Sequence, residues 1–230
     1  MEPNTEPTNE AETRERLLDA AERMFATQGY DAVSVREITQ GADANVAAVS
    51  YYFGGKEGLY QAVLHRMLDE MREQRISRIE ADLEAAAGHM TLEGFLESFA
   101  RAFVEPLVEG ERARNFMALF DQEMRIGLLP TSAFFAQLVR PMIDVFASSL
   151  ARVGVELDNV TAARCLMSLV GQLAHAVKVS RRLAGEGSEQ GLSLDLAESV
   201  PHVIRFSAGG IRACEAAGRA ESQSSRKRPS

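Results

Sequence analysis

The chain has 230 residues, of which 46% are hydrophobic and 25% charged, and its formal net charge is −8. This composition is ordinary for a soluble globular protein of one large or two modest domains, and its acidic balance excludes a protein that binds nucleic acid through general basicity alone. The sequence has no charged-then-apolar leader and no uninterrupted apolar run near the ~18 residues of a membrane span, so we expect a cytoplasmic protein without membrane contact.

The N-terminal segment predicts a flexible leader followed by a helix. Residues 1–11 are rich in Glu, Thr and Pro and are expected to form a disordered leader. A first helix is predicted from a Thr13 cap to about Gln28, with Leu17 and Phe25 on its apolar face. We expect this helix to pack behind the elements that follow.

The next segment predicts two short helices joined by a tight turn. Ser34 and Glu37 have the spacing of a capping box, in which each side chain satisfies the other residue's backbone N–H. The helix that begins there ends near Gly41–Asp43, because Gly and Asp both tolerate a left-handed backbone. Asn45 then caps a third helix over about 46–52. This arrangement is a helix-turn-helix unit, whose second helix enters the DNA major groove.

The third helix carries no charge and several small side chains, so that its backbone can approach base edges. Ala47 and Ala48 can lie against thymine methyl groups. Asn45 and Ser50 offer hydrogen bonds, and Asn is suited to adenine. Phosphate anchoring is expected from hydroxyl groups and from the Lys56 cation. The predicted DNA-binding residues are Ser34, Arg36, Asn45, Val46, Ala47, Ala48, Ser50, Tyr51, Tyr52 and Lys56.

The charge of this segment limits how it can bind DNA. Residues 12–56 include seven acidic and five basic side chains, a net charge of −2. No acidic residue lies between Ala44 and Gly55, and most of the acidic residues lie on the first helix, whose outer face can point away from DNA. We therefore expect weak nonspecific binding and an affinity that depends on a dimer and a preferred site.

The stretch between Arg14 and Tyr60 carries a set of mostly apolar, aromatic and glycine residues at characteristic spacings, together with one serine and one lysine. They are Leu18, Ala21, Phe25, Gly29, Tyr30, Ser34, Val35, Ile38, Ala42, Tyr51, Phe53, Lys56 and Leu59. This pattern resembles the N-terminal domain of the TetR family of bacterial transcription regulators. It departs from the family pattern at Asp43, where Gly is usual, and at Ser50, where Tyr or Asn is common. We expect the turn to survive and the base contacts to differ at Ser50. A looser resemblance, to the CecR-like sub-branch, rests on residues 45–48, 53–60, 123–130, 141 and 171–172.

The remainder of the chain predicts helices only. A long helix from Lys56 is expected to connect the DNA-binding head (12–60) to the helical body (61–217). Further helices are predicted over 91–108, 111–126, 132–153, 158–183 and 193–217. Pro141 is expected to kink or break its helix. The predicted fold is all-α with about nine helices. Its predicted segments are a leader (1–11), a helix-turn-helix DNA-binding domain (12–60), a helical regulatory and dimerisation domain (61–217) and a disordered basic tail (218–230).

The body is rich in Phe and Met, which typically form a helical core but can also line an apolar pocket. In the family that the chain resembles, the middle helices hold an inducer. The residues predicted for such an effector pocket are Phe99, Phe103, Met117, Phe120, Glu123, Met124, Phe135, Met142, Phe146, Gln172 and His175. For His175, a satisfied core or interface position is the competing interpretation.

No pattern typical of catalysis or metal binding occurs. The histidines lack metal-ligand spacing, and neither a phosphate-binding loop nor a nucleophile motif is present. Cys165 and Cys214 lie in apolar segments without a Cys-x-x-Cys spacing and are predicted to be buried thiols. We therefore expect no enzyme, no metal and no cofactor.

The last two long helices carry small residues that permit close helix approach, including Ala162, Gly171, Ala208 and Gly209. In the family that the chain resembles, these helices pair across a twofold axis. The expected function is that of a homodimeric repressor, which binds a palindromic operator in double-stranded DNA and is released by a small apolar or amphipathic effector. The alternatives are a helical small-molecule-binding protein or enzyme, and a DNA-binding activator.

Overall fold

A computed structural model describes residues 6–108, 110–183 and 195–226. Over these residues the chain forms α-helices and one π-helical turn, without a strand, which confirms the all-α fold. The elements are α1 (Glu6–Gln28), α2 (Val35–Gly41), α3 (Val46–Phe53), α4 (Lys56–Ala85), α5 (Leu92–Val108), α6 (Gly110–Ile126), α7 (Thr131–Phe134), the π turn (Phe135–Val139), α8 (Arg140–Arg152), α9 (Asn159–Leu183) and α10 (Leu196–Arg226).

The first helix is longer than predicted. It begins at Glu6 rather than at the Thr13 cap, so the prediction of a disordered leader is wrong over 6–11. Pro7 is compatible with a first helical turn, because the N–H that it lacks would have no partner inside the helix. The leader residues 1–5 lie outside the described residues.

The last helix is also longer than predicted, since α10 continues to Arg226 instead of ending near Ala217. The prediction of a disordered tail is therefore wrong over 218–226. Five of the nine residues in this stretch are Ala, Glu, Gln or Arg, which are good helix formers. Residues 227–230 of the predicted tail lie outside the described residues.

Pro141 lies directly after the π turn, at the point where the regular α-helical hydrogen-bond pattern of residues 131–152 is interrupted. It lies in the first turn of α8, where the hydrogen bond that a proline cannot donate is not needed. The π turn joins α7 to α8 without a gap. With that continuous stretch counted once, the described residues form nine helices, as predicted.

The chain divides into two compact units. The first comprises Met1–Met71 and Glu109–Leu138, and the second comprises Arg72–Val108 and Val139–Ser230. The segment 12–60 therefore shares its unit with the first half of α4, with α6 and with α7. The reason is packing, since α6 lies against α1.

The first unit is built on apolar faces of α1, α2 and α4. Leu17, Ile38, Leu59 and Tyr60 are fully buried, and Phe25 is 1% exposed. Burial of each such side chain contributes about 1.5–3 kcal/mol. Because α2 also packs against α3, this core holds the short helices in position.

The second unit is centred on an aromatic cluster. The ring centroid of Phe146 lies 5.5 Å from that of Phe95 and 5.4 Å from that of Phe99. Around this cluster, α9 packs against α5, α8 and α10. Ala162 and Ala208 are buried within the unit, whereas Gly171 and Gly209 are exposed, so the small residues of α9 and α10 do not all lie on one face.

One described helix, Asn159–Arg182, is long and apolar enough to cross a membrane by length and composition. Its most apolar stretch has a mean hydropathy of 1.2, and 33% of that stretch is buried. This is weak evidence for a span, because core helices of soluble proteins meet the same criterion. Its contacts with α5, α8 and α10 account for its buried face.

Candidate nucleic-acid interface

The start of α2 has the predicted capping box. The Glu37 N–H donates to Ser34 Oγ at 3.3 Å, and the Ser34 N–H donates to Glu37 Oε2 at 2.8 Å. The Ser34 hydroxyl also donates to the same carboxylate oxygen at 2.6 Å. These bonds hold the pKa of Glu37 below its ordinary value. The Ser34 hydroxyl is thus committed to the helix start, although the residue is exposed.

The turn between α2 and α3 depends on one left-handed residue. Asp43 has φ 48°, and the Ala44 N–H donates to the Thr39 carbonyl at 2.9 Å. The expectation that the turn survives with Asp in place of Gly is confirmed. Asp is among the few side chains that adopt this conformation readily.

An uncharged face of α3 is open to solvent. Val46 and Tyr51 are 51% and 74% exposed, and Ala47 and Ser50 are exposed on the same side. Val49, on the opposite side, is fully buried and anchors the helix. None of the ten residues predicted to contact DNA is buried; Ala48, Tyr52 and Lys56 are partly exposed and the other seven are exposed.

Asn45 is engaged in capping α3. Its Oδ1 accepts a hydrogen bond from the Ala47 N–H at 2.9 Å. A bidentate contact with adenine needs both the oxygen and the nitrogen of the amide. This bond holds Oδ1 at the helix start and leaves the Nδ2 donor of Asn45 to reach a base or phosphate.

Three glycines shape the passage from α3 to α4, and one of them was missed by sequence reasoning. Gly54 and Gly55 have φ values of 74° and 130°, which disfavour other residues. At Gly58, an added Cβ would lie 1.9 Å from the Phe53 carbonyl oxygen. Gly58 therefore permits the end of α3 to lie against the first turn of α4.

Lys56 belongs to an aromatic cluster at the start of α4. Its Nζ lies 4.4 Å from the centroid of the Tyr30 ring, a cation–π contact. Tyr30 meets Tyr60 at 5.0 Å, and Tyr60 meets Phe25 at 5.3 Å. Burial, followed by Glu57 and Asp31, raises the pKa of Tyr30, which keeps the ring neutral beneath the cation.

The acidic residues of α1 are gathered around one arginine of α4. Arg66 donates to Asp19 Oδ1 and to Glu22 Oε2 at 2.8 Å each, and to Glu15 Oε2 at 3.2 Å. Burial alone would lower the pKa of Arg66, but the hydrogen bonds that it donates to Glu22 and Asp19 outweigh this effect, and the pKa is raised. Three of the acidic charges that weigh against DNA binding are thus partly neutralised inside the unit.

Arg16 is a second residue that sequence reasoning missed. Its Nε donates to the Ala42 carbonyl at 3.1 Å, at the C-terminal end of α2. It fastens α1 to the turn, where a carbonyl would otherwise lack a partner. No local sequence pattern predicts a contact between residues so far apart.

The structure does not bring the eleven residues of the predicted effector pocket into one cavity. Phe120, Glu123 and Met124 line a cavity in the first unit. Phe99 and Phe146 instead fill the aromatic cluster of the second unit. The other six lie apart: Met117 is half-buried on α6, Phe103 lies beneath the buried Arg75, Met142 is in the buried core, Phe135 is 49% exposed, and Gln172 and His175 lie along an open groove between α9 and α10.

Arg75 has an unusual environment within the second unit. Its guanidinium carbon lies 4.2 Å from the centroid of the Phe103 ring, and the side chain is 4% exposed. Burial lowers the pKa of Arg75 to about 9. The Phe103 ring, predicted to face a ligand, therefore packs against a cation.

The cavity in the first unit has a volume of about 320 Å³. It is lined by α4, α6 and the segment 127–134, and its walls are apolar except at Glu123 and Thr131. The volume is at the lower end of the range for small-molecule sites.

Cys165 and Cys214 are free thiols and both are partly exposed, so the prediction that they are buried is wrong. They are neighbours across the contact between α9 and α10. Burial, and then Cys214, raises the pKa of Cys165 to about 11.

Two family models match the chain. Residues 17–63 match the model described as "Bacterial regulatory proteins, tetR family", and residues 97–210 match "Tetracyclin repressor-like, C-terminal domain". The family resemblance inferred from the motifs is confirmed at both ends of the chain.

Curated relatives are matched over parts of their length. A probable HTH-type transcriptional regulator of Bacillus subtilis, YttP, is 45% identical over 49 residues, which cover 21% of this chain and 24% of that protein. The HTH-type transcriptional dual regulator CecR of Shigella flexneri is 40% identical over 63 residues, 27% of this chain and 28% of its own. Both matches span less than a third of the relative, so the support for the CecR-like sub-branch is weak.

A solved structure resembles nearly the whole chain. It is a TetR-family transcriptional regulator from Mesorhizobium loti, with a TM-score of 0.63 and 21% identity, and the likeness covers 91% of this chain and 98% of that one. At this identity the likeness establishes the fold.

Proposed function

The chain belongs to the TetR family of bacterial regulatory proteins, and from that premise we propose that it is a homodimeric transcriptional repressor that binds a palindromic operator and is released by a small effector. The observation that carries the proposal is the exposed, uncharged face of α3 on a buried anchor, since this is the geometry of a recognition helix. The DNA-binding domain corresponds to residues 12–60, and residues 61–217 regulate and dimerise it.

The proposed contacts with DNA divide between bases and phosphates. Val46, Ala47, Ala48 and Ser50 reach base edges from α3, where Ala47 and Ala48 lie against thymine methyl groups and Ser50 offers a hydrogen bond. Phosphates are contacted by the exposed Tyr51 and by the Lys56 cation, which the Tyr30 ring holds at the start of α4. The remaining residues of the proposed surface are Ser34, Arg36, Asn45 and Tyr52.

A homodimer is proposed from the outer faces of α9 and α10. Met167 and Phe206 are 55% and 65% exposed, which is unusual for large apolar side chains. An added Cβ at Gly171 or Gly209 would meet nothing within 4 Å, so each glycine faces open space. A second copy that covers this apolar face places two heads on one duplex, which a palindromic operator requires. Such a protein functions in the cytoplasm, where the DNA is.

The effector acts by population shift. A ligand that binds one conformer more tightly than the other reduces operator affinity in proportion to that difference. Three predicted effector residues, Phe120, Glu123 and Met124, line the cavity in the first unit, and the site is proposed there.

The proposal is tested by introducing a negative charge on the uncharged face of the recognition helix. Ala47→Glu brings a carboxylate to the base edges, and loss of a base contact alone costs about 1–3 kcal/mol, or roughly 5- to 150-fold in affinity. Ala85→Glu is the matched control, since Ala85 is exposed at the end of α4. On duplexes that the wild-type protein enriches, equal affinity of wild type and Ala47→Glu would refute the assignment of α3.

A second pair of variants tests the phosphate contact. Tyr51→Phe removes only the hydroxyl group, and Tyr51→Ala also removes the ring. Because Tyr51 is 74% exposed, both variants are expected to keep the melting temperature of the wild type while weakening DNA binding. Full operator affinity in Tyr51→Ala would contradict the role of this residue.

A further inference from the structure

Two free thiols meet where α9 packs against α10. Cys165 lies in the second turn of α9, and Cys214 lies in the second half of α10. The Cys165 thiol donates a hydrogen bond to the Cys214 sulfur. Both residues are partly exposed, so a small reagent in solution can reach the pair. Neither thiol belongs to the proposed DNA surface or lines the cavity in the first unit.

The packing of the two helices brings these positions together independently of the thiols. His175 of α9 and His202 of α10 border one groove, so the end of α9 lies beside the start of α10. Just before α9, the Glu156 N–H donates to Glu215 Oε1 of α10 at 3.0 Å. The helices therefore run antiparallel, and both cysteines lie between these two contacts, one of them directly before Glu215.

Buried apolar side chains fix the helix contact beside the pair. Ala162 and Leu166 of α9 are 0% and 2% exposed, and Ile211 of α10 is 2% exposed. Cys165 follows Ala162 by three positions and Cys214 follows Ile211 by three, and residues three apart share one face of a helix. Each thiol is thus carried on the side of its helix that meets the other helix, in a well-packed setting that holds the two sulfurs close together.

We propose that Cys165 and Cys214 form a peroxide-sensing dithiol, which hydrogen peroxide converts into a disulfide bond between α9 and α10. The Cys214 thiolate attacks one peroxide oxygen, the O–O bond breaks, and the departing hydroxide takes up a proton, which leaves a sulfenic acid. The Cys165 sulfur then attacks the Cys214 sulfur, the S–O bond breaks, and the hydroxide leaves as water with the Cys165 proton. The two thiols lose two electrons and two protons, and one peroxide becomes two water molecules.

The order of the two steps follows from the environment of Cys165. Burial, and then the charge of Cys214, raises the pKa of Cys165 to about 11, so Cys165 is the second thiol of the pair to ionise. Because the thiolate is the nucleophile, the first attack on peroxide is assigned to Cys214. A protonated Cys165 suits the second step, in which its proton leaves with the hydroxide. In a reducing cytoplasm such a bond is transient, as is typical of redox sensors.

The experiment treats the reduced full-length protein with hydrogen peroxide, blocks the remaining thiols with iodoacetamide in denaturant and measures the intact mass. The expected product is a single chain that has lost two hydrogen atoms, carries no alkyl group and regains both thiols with dithiothreitol. The proposal would be overturned by two thiols that both remain open to alkylation, by a sulfinic acid without a cross-link, or by a disulfide between two chains.

Two serine variants serve as each other's control for the order of the steps. Cys165→Ser keeps the attacking thiol and lacks the second one, so it is expected to accumulate a sulfenic acid that dimedone traps at Cys214. Cys214→Ser is expected to react with dimedone at least about tenfold less after the same peroxide treatment, because Cys165 stays protonated near neutral pH. Equal trapping in the two variants would overturn the assigned roles.

Equilibration with mixtures of reduced and oxidised glutathione tests the placement of the two thiols. In the folded protein the sulfurs are held together, whereas in urea a long flexible loop separates them. The equilibrium constant for the bond between Cys165 and Cys214 is expected to be at least roughly tenfold larger in the folded protein. An equal or smaller constant would refute the placement. None of these measurements involves DNA, so they hold whether or not the proposed function does.

Discussion

Replacement of Gly58 by alanine tests the junction between α3 and α4. The added Cβ would lie 1.9 Å from the Phe53 carbonyl oxygen and 3.0 Å from its carbon. Ordinary contacts between carbon and oxygen begin near ~3.3 Å, so the backbone would have to move apart by more than ~1 Å. The obstructing atom belongs to the main chain and has no rotamer that relieves the contact.

The expected cost follows from two opposing contributions. Alanine in a helix interior gains about 0.5–1 kcal/mol over glycine, whereas overpacking against a fixed neighbour costs about 1–3 kcal/mol or more. We expect a net loss of about 2 kcal/mol, and a melting temperature lower by about 4–8 °C for a chain of this size. DNA affinity should fall as well, because α3 can no longer lie against α4.

Two other glycines provide controls in the same thermal unfolding assay. Gly54→Ala meets no atom within 4 Å but keeps a φ of 74°, so it tests backbone strain alone, with an expected loss of about 1 kcal/mol. Gly94→Ala lies in helix α5 with its nearest contact at 3.4 Å and is expected to be neutral or stabilising. If Gly58→Ala melts and binds DNA like the wild type, the reasoning from the Phe53 carbonyl is refuted.

Three further predictions concern the turn, the cap and the thiols. Asp43→Ala should lower the free energy of unfolding by about 1 kcal/mol, as measured by urea denaturation, whereas Asp43→Gly should leave it equal or higher. An Asp43→Ala variant more stable than Asp43→Gly would contradict the role of the left-handed turn. Asn45→Ser should keep the cap while Asn45→Ala loses about 0.5–2 kcal/mol, and a loss of DNA affinity in Asn45→Ser at unchanged stability would assign Nδ2 to a DNA contact; equal stability of the two variants would contradict the cap. Because the pKa of Cys165 is raised to about 11, its alkylation by iodoacetamide should be slow at pH 8 and should accelerate toward pH 11. Mass spectrometry measures the alkylation of this residue, and fast alkylation at pH 8 would contradict its protonated state.

The helix caps and the turn of the DNA-binding head could be predicted from the sequence. The Ser34–Glu37 capping box, the Asn45 cap and the Asp43 turn each depend on residues within a few positions of one another. Their hydrogen bonds are therefore encoded in short segments, whatever the rest of the chain does. The long helices were predicted for a similar reason, because their apolar periodicity repeats over many turns.

The effector residues could not be predicted as a set. Phe120 and Phe146 look equivalent in the sequence, but the first lines a cavity and the second fills an aromatic core. That difference depends on which helices pack together. The contacts of Arg16 with Ala42 and of Arg66 with Asp19 likewise join residues that are distant in sequence.

Composition alone did not predict the structure of the two stretches near the termini. Residues 6–11 and 218–226 are polar, which favoured a prediction of disorder, yet both stretches are helical. Each continues a helix that is already formed, and adding a residue to an existing helix costs far less than starting a new one. Polar composition at a terminus therefore did not distinguish a disordered tail from a helix extension.

Selection of bound sequences from a random duplex pool with the purified full-length protein decides whether a dimer reads DNA through α3. A twofold-symmetric sequence is expected to be enriched, and its affinity is expected to fall steeply with rising salt concentration as phosphate contacts displace counterions. Failure to enrich any sequence, with the protein folded and dimeric, would contradict this expectation.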